Sequence, residues 1–298
     1  FTGLSVAFSF RTGVFNIGAE GQFVVGSLTA CALGILIKAP AIIHIPICFI
    51  GAALAGVLWG AVVGMLKIKK GVNEVLSYIM FNWIAFYLSN FVVNLAVIHK
   101  ESGGEATKDI ADTARILAPK SIIAATGASA ANWGFLLAIL VAIAVWFIIN
   151  KTTLGFKLRA VGLNMTAAKF NGFAVKKYIL ISFILSGAVA GLGGAADLLG
   201  TQYRLINGYG SGYGFDGVAI ALIAQLHPIA AIVVSIFFAA LRVGSTSMQV
   251  ATGVPTSVSD IIQALVIVFS VAGMALTKLP EFETFRLKYL TKKVEGKV

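Results

Sequence analysis

Charge is what this chain of 298 residues has least of. Asp, Glu, Lys and Arg make up 12% of it, about half the share of a soluble domain. Acids are scarcer than bases, 12 against 23, for a net charge of +11. There are three histidines (His44, His99, His227), far apart, and two cysteines, Cys31 and Cys48, inside apolar runs. Neither set has metal-ligand spacing, so no metal site is expected and the cysteines read as core residues. No G-x-x-x-x-G-K-S/T occurs, so the chain is expected to bind no ATP itself. There is no initiator Met, and Phe1 lies in an apolar run, LSVAFSF. One or more preceding helices are expected to be missing, and no signal peptide can be read.

Hydrophobic residues are abundant at 58%, with 32 Gly and 21 Phe and a mean hydropathy of +0.93. These values place the chain among polytopic membrane proteins. A span takes roughly 20 apolar residues. The sequence predicts spans near 20–37, 43–66, 75–98, 132–150, 178–200, 229–248 and 255–276, a short Gly-flanked helix near 215–227, and the tail of an earlier span at 1–10. The expected fold is an all-α polytopic helix bundle, a single transmembrane domain over 1–298.

Basic residues set the orientation. The turn KIKK (67–70) carries three lysines, loop 151–177 six bases and no acid, and the tail 278–298 six bases against three acids. These are expected in the cytoplasm. Loop 99–131, with four bases and four acids, is then extracytoplasmic, and with Gly103, Gly104 and Pro119 it reads as partly disordered or as a docking surface. The alternation closes after 178 only if 215–227 crosses or nearly crosses. Because topology accounts for the excess of bases, nucleic acid is not an expected partner.

Three stretches carry the chemistry. In "RTGVFNIGAEGQFVVG" (11–26), Glu20 sits between Gly18 and Gly21 at the start of an apolar run. A carboxylate at membrane depth costs several kcal/mol unless water or a partner meets it. Three roles are open: contact with substrate, acceptance of backbone N–H groups freed where a helix breaks, or a place at the cytoplasmic interface beside Arg11. The stretch predicts a broken helix near the N-terminus, with Asn16 and Glu20 satisfying its exposed backbone. Asn82, Asn90 and Asn94 share roughly one helical face with Phe86. Taken together they suggest a polar pathway, and taken singly, interhelical hydrogen bonds. In 152–178, residues 164–172 read as a short helix with Asn164 as N-cap, Ala167, Ala168 and Phe170 following, and Gly172 at its end. Such a helix lies in the lipid headgroups or docks into a partner protein. Asp197, Arg204, Asp216, Arg242 and Asp260 are sparse charges of the second half. Asp216 is expected to cap a helix starting near Val218, His227 precedes Pro228 without metal-ligand neighbours, and Pro255 reads as an early-turn proline of the last span.

In order along the chain, "FRTGVFNIGAEGQF", the 152–178 loop and "GYGFDGVAIALIAQLHP" (208–228) together resemble the permease subunit of a bacterial ABC importer of the ribose-type sugar and nucleoside branch. "FNIGAEGQ" is most similar to the nucleoside permeases. The resemblance covers essentially the whole chain. It implies that Gly162, Leu163, Asn164, Met165, Thr166, Ala167, Ala168, Lys169, Phe170 and Gly172 couple to a cytoplasmic ATPase, with ATP and Mg bound on that separate chain. It further implies an extracytoplasmic substrate-binding lipoprotein, a second and different permease subunit, and residence in the bacterial inner membrane among its lipids. Asn16, Glu20, Gln22, Asn82, Phe86 and Asn90 are the expected substrate-pathway residues. The expected activity is translocation of nucleosides by alternating access, with ribose or another simple sugar as the alternative substrate. A membrane enzyme finds no convergent catalytic groups, and a stand-alone channel or secondary transporter would leave the basic loop 151–177 without a purpose.

Overall fold

The computed structural model describes residues 1–95, 98–99, 105–117, 132–209 and 212–276. Eleven α-helices are defined among them: α1 (Thr2–Arg11), α2 (Ala19–Leu36), α3 (Ala41–Lys70), α4 (Glu74–Val93), α5 (Gly134–Lys151), α6 (Thr153–Leu163), α7 (Met165–Phe170), α8 (Val175–Asp197), α9 (Tyr213–Ile223), α10 (Pro228–Thr252) and α11 (Ser257–Leu276). The described residues form no strand, only three isolated bridges. Six helices are long and apolar enough to cross a membrane: α2, α3, α4, α5, α8 with its π-helical continuation to Gln202, and α10. The chain divides into two compact units, Phe1–Val233 and Val234–Val298.

The predicted spans are all helical, with corrections at their ends. KIKK is not a turn: α3 runs through Lys70 and stops at Gly71, whose φ of 68° makes it a left-handed cap. Lysines suit a helix C-terminus, where the macrodipole is negative. Lys67 also pairs with Glu74 across that corner. The span expected over 75–98 stops at Val93. Pro255 stands two residues ahead of α11 rather than in its first turn. The segment from Asp112 to Ala114 is one 3-10 turn.

The first unit is built on a seam of small residues. A Cβ on Gly26 would lie 2.6 Å from Gly191 Cα, and one on Gly56 would lie 2.1 Å from the Gly187 carbonyl. Backbones this close bring α2, α3 and α8 together where apolar burial between helices offers little in lipid. α2 is the most enclosed: 72% of its apolar window is buried, against 22% for α3, α4 and α5.

Contacts along α8 give the helix directions. Thr12 bonds Ser182, Ser5 bonds the Ser186 carbonyl, and Gly193 approaches Phe1, so α1 runs antiparallel to α8. Asn16 meets Ser186, Gly26 meets Gly191, and Ser27 meets Gly194, so α2 runs parallel to it. α1 and α2 are therefore two antiparallel helices joined by a reversal at 12–18, not one interrupted span.

A helix entered through irregular backbone lies elsewhere. Residues 203–207 pair with the 105–110 segment: Thr107 N donates to Leu205 O (2.8 Å), Ile110 N to Tyr203 O (2.9 Å) and Asn207 N to Glu105 O (2.8 Å). α9 then starts beside α1 and runs parallel to it, with Thr2 Oγ1 donating to Tyr213 O and Gly3 against Gly217 and Ile220. Residues 203–209 are irregular backbone, and the 11-residue half-helix α9 then runs toward the lysine-rich end.

The loop expected to be disordered or a docking surface is, over 105–117, packed into the protein. Thr107, Ile110, Ala114 and Ile116 are buried. Ala111 N donates to Gly34 O, and Thr113 Oγ1 bonds His44 Nδ1 at 2.8 Å. Gly103, Gly104 and Pro119, like the tail 278–298, lie outside the described residues.

Candidate functional site

One cluster of candidate residues gathers at the start of α2. Helix N-termini leave amide donors without internal partners. At α2, Asn16 Oδ1 accepts from Gly18 N (2.9 Å) and Asn82 Oδ1 from Gly21 N (2.9 Å), while Asn82 Nδ2 donates to Ile17 O (3.1 Å). Asn16 Nδ2 also faces Gln22 Oε1 (3.0 Å), Ser186 Oγ (3.1 Å) and Ser5 Oγ (3.3 Å). Gln22 Nε2 reaches Tyr78 Oη at 3.4 Å. Asn16 and Gln22 are fully enclosed. Buried amides of this kind persist because each is bonded.

Glu20 does accept backbone N–H groups, and two of them belong to another helix. Oε1 accepts from Gly212 N (3.0 Å) and Oε2 from Gly214 N (2.5 Å). These amides open α9, so a carboxylate of one helix caps the half-helix of another. Charge-assisted bonds and the positive end of the helix dipole both favour it. Gly214 is required for the approach, since a Cβ there would lie 2.2 Å from Glu20 N. Gly212, at φ 76°, is the N-cap. The capping role expected of Asp216 is thereby corrected: the helix starts at Tyr213, and Asp216 lies in its first turn. Arg11, expected as one possible neighbour of Glu20, has its guanidinium 3.5 Å from Asn150 Oδ1.

The other pathway candidates do not converge. Asn90 Oδ1 accepts from Gly208 N (2.9 Å), two turns along α4 from Asn82, about 12 Å. Asn94 bonds the Asn90 carbonyl (2.7 Å) and Asn207 (3.4 Å). Phe86 packs edge-on against Trp83 and Tyr87, both largely exposed. The asparagines of α4 thus hold the entry to α2, at Ile17 and Gly21, and the irregular backbone at 207–208, at different depths. Sequence reading missed Ser5, Ser186 and Tyr78, whose hydroxyls complete the Asn16–Gln22 cluster. A serine or tyrosine in an apolar run carries no signal by itself.

The second cluster is the short helix α7. Asn164 Oδ1 accepts from Ala167 N (2.9 Å) as its N-cap, and Gly172 has φ 79°, as the sequence predicts. Leu163 and Phe170 are 88% and 89% exposed, while Ala168 is buried against Val14 and Val161. Gly162 and Leu163 belong to the end of α6 rather than to the short helix. A Cβ on Gly162 would lie 2.7 Å from the Thr12 carbonyl carbon, so this glycine lets α6 rest on the 12–14 backbone. His227 Nδ1 accepts weakly from Ala230 N (3.4 Å) at the start of α10. No group of three metal-ligating side chains occurs among the described residues.

A family model described as "Branched-chain amino acid transport system / permease component" matches residues 1–271. The chain belongs to this permease family. It is 40% identical to a guanosine ABC transporter permease of Bacillus subtilis, over 92% of the chain and 78% of that relative. It is 33% identical to a glucose ABC transporter permease of Haloferax volcanii, over 91% and 72%. A nucleoside ABC transporter permease of Lactococcus lactis is 30% identical, over 98% and 81%. No solved structure matches. The permease is a multi-pass membrane protein and a transport subunit, not an enzyme. An ABC permease works with an ATPase and a substrate-binding component.

Proposed function

We propose that this permease translocates nucleosides in an ABC importer of the bacterial inner membrane. The 40% identity to a guanosine permease over 92% of the chain carries this reading. The lysine-rich end, with 67–70, 151–177 and the tail 278–298, faces the cytoplasm, and 99–131 faces out. ATP and Mg bind the partner ATPase, and a lipoprotein delivers substrate from outside. A second, different permease subunit completes the pathway.

In this reading α7 is the input. Residues Gly162 to Gly172 couple to the ATPase, with Leu163 and Phe170 as exposed apolar contacts. Val14 packs beneath Val161 and Ala168, two residues before Asn16. Displacement of α7 therefore bears on the 12–18 reversal, on the Asn16–Gln22–Asn82 cluster and, through Glu20, on the half-helix. Coupling carried by packed neighbours of this kind supports alternating access. Asn16, Glu20, Gln22 and Asn82 frame the pathway rather than select its cargo, with Phe86 and Asn90 further out along α4.

Two measurements test this. Phe170→Ala should leave folding within about 0.5 kcal/mol, as for an exposed site, and abolish co-purification of the ATPase. Uptake of labelled guanosine by cells carrying the whole transporter should be suppressed by unlabelled inosine and not by ribose or glucose. Competition by the sugars alone would transfer the assignment to the sugar reading, which the 33% identical glucose permease favours.

A further inference from the structure

The lysine-rich end holds two arginines with no described partner of opposite charge. Arg11 closes α1, and its guanidinium has one weak neutral acceptor, Asn150 Oδ1, at 3.5 Å. Arg159 lies on α6 one turn before Gly162, whose Cβ position is 2.8 Å from the Arg11 carbonyl. This backbone contact makes the two arginines neighbours, close enough for the Arg159 charge to act on Arg11. Arg159 Nε is buried and has no hydrogen-bond partner among the described residues. A guanidinium N–H without an acceptor is costly, and a second cation nearby raises that cost. An anion bridging them removes both penalties.

The surroundings say which anion. Asn150 and Lys151 end α5, and the Lys151 ammonium sits 5.8 Å over the Trp146 ring. Tryptophan beside lysine marks headgroup depth in a membrane protein. Phe147 and Phe156 on the adjoining turns are 55% and 58% exposed, a surface that suits acyl chains. Guanidinium forks match phosphate oxygens in geometry and charge. We propose that Arg11 and Arg159 form a site for the phosphate of an anionic phospholipid, between the ends of α1, α5 and α6. The site clamps α6, and hence the base of α7, to the membrane. Its assignment to the cytoplasmic leaflet rests on the orientation proposed above, whereas lipid selection itself does not depend on orientation or cargo.

The test uses the whole transporter purified in mild detergent. Its bound lipids are counted by native mass spectrometry, and photoreactive phosphatidylglycerol and phosphatidylcholine are compared for labelling of 11–15 and 151–163. Phosphatidylglycerol labelling should saturate with its mole fraction and exceed that by phosphatidylcholine. Arg11→Gln and Arg159→Gln should each weaken the preference about fivefold, while Lys69→Gln leaves it unchanged. The unmutated transporter keeps the test decisive if a variant fails to fold. Non-saturable labelling, equal labelling by the two lipids, or an unchanged preference in both variants would overturn the proposal. So would displacement by inorganic phosphate, which would mean a free-anion site. Loss of the ATPase with lipid selection intact would assign the arginines to that partner instead.

Discussion

Two helices of this permease begin inside the protein, α2 at Ala19 and α9 at Tyr213, and their first amides are satisfied by different means. At α2 the acceptors are neutral, Asn16 and Asn82, and they come from the adjoining reversal and from α4. At α9 the acceptor is a carboxylate, Glu20, with both oxygens engaged. The difference follows the backbone each must support. α2 continues as a full span, enclosed by the glycine seam. α9 is a half-helix of 11 residues reached through irregular backbone, and fewer internal bonds hold it in place. A charged cap is the stronger one. It also ties α9 to the start of α2, so the two N-termini form one assembly.

Substitutions can separate the two caps. Gly214→Ala should have the largest effect, because the new Cβ meets Glu20 backbone that cannot yield. A loss of at least 3 kcal/mol should appear as little folded protein by size-exclusion fluorescence. Glu20→Gln comes next: the amide presents an NH2 to a backbone donor and removes the charge. About 2–3 kcal/mol should be lost, read as a lower unfolding temperature in detergent and reduced guanosine uptake. The ranking of competing nucleosides should not change, and a change of selectivity with normal assembly would give Glu20 a substrate contact. Asn16→Ala should cost about 1–2 kcal/mol, since Gly18 N and Gln22 each lose a partner. The smallest effect is expected for Asn90→Ala, whose exposed bond to Gly208 N is worth about 1 kcal/mol or less. Should Asn90→Ala exceed Glu20→Gln in the same melting assay, the charged cap is not the dominant one.

Much of the first comparison was legible in the residues. The Gly18-Ala19-Glu20-Gly21 stretch marked a helix start, and Glu20 was expected to accept backbone amides. Asn164 and Gly172 bounded α7 by local chemistry alone, because caps act within one turn. The partner of Glu20 was not legible, since Gly212 and Gly214 are 192 and 194 residues away. Nor was the function of the α4 asparagines. Periodicity placed them on one face, but that face meets two different segments of backbone.

The sequence by itself determined the membrane class, the positions of the apolar helices, the lysine-rich ends and the boundaries of the short helix. These depend on composition and on interactions within a few residues. Only the tertiary structure decided that α1 and α2 run antiparallel and that irregular backbone at 203–209 precedes a half-helix, α9. It also decided that 105–117 packs inward and that Glu20 caps a helix not its own. In each case a polar group had to find its partner across the fold. Burial makes that partner obligatory, but only the packed helices bring it within reach.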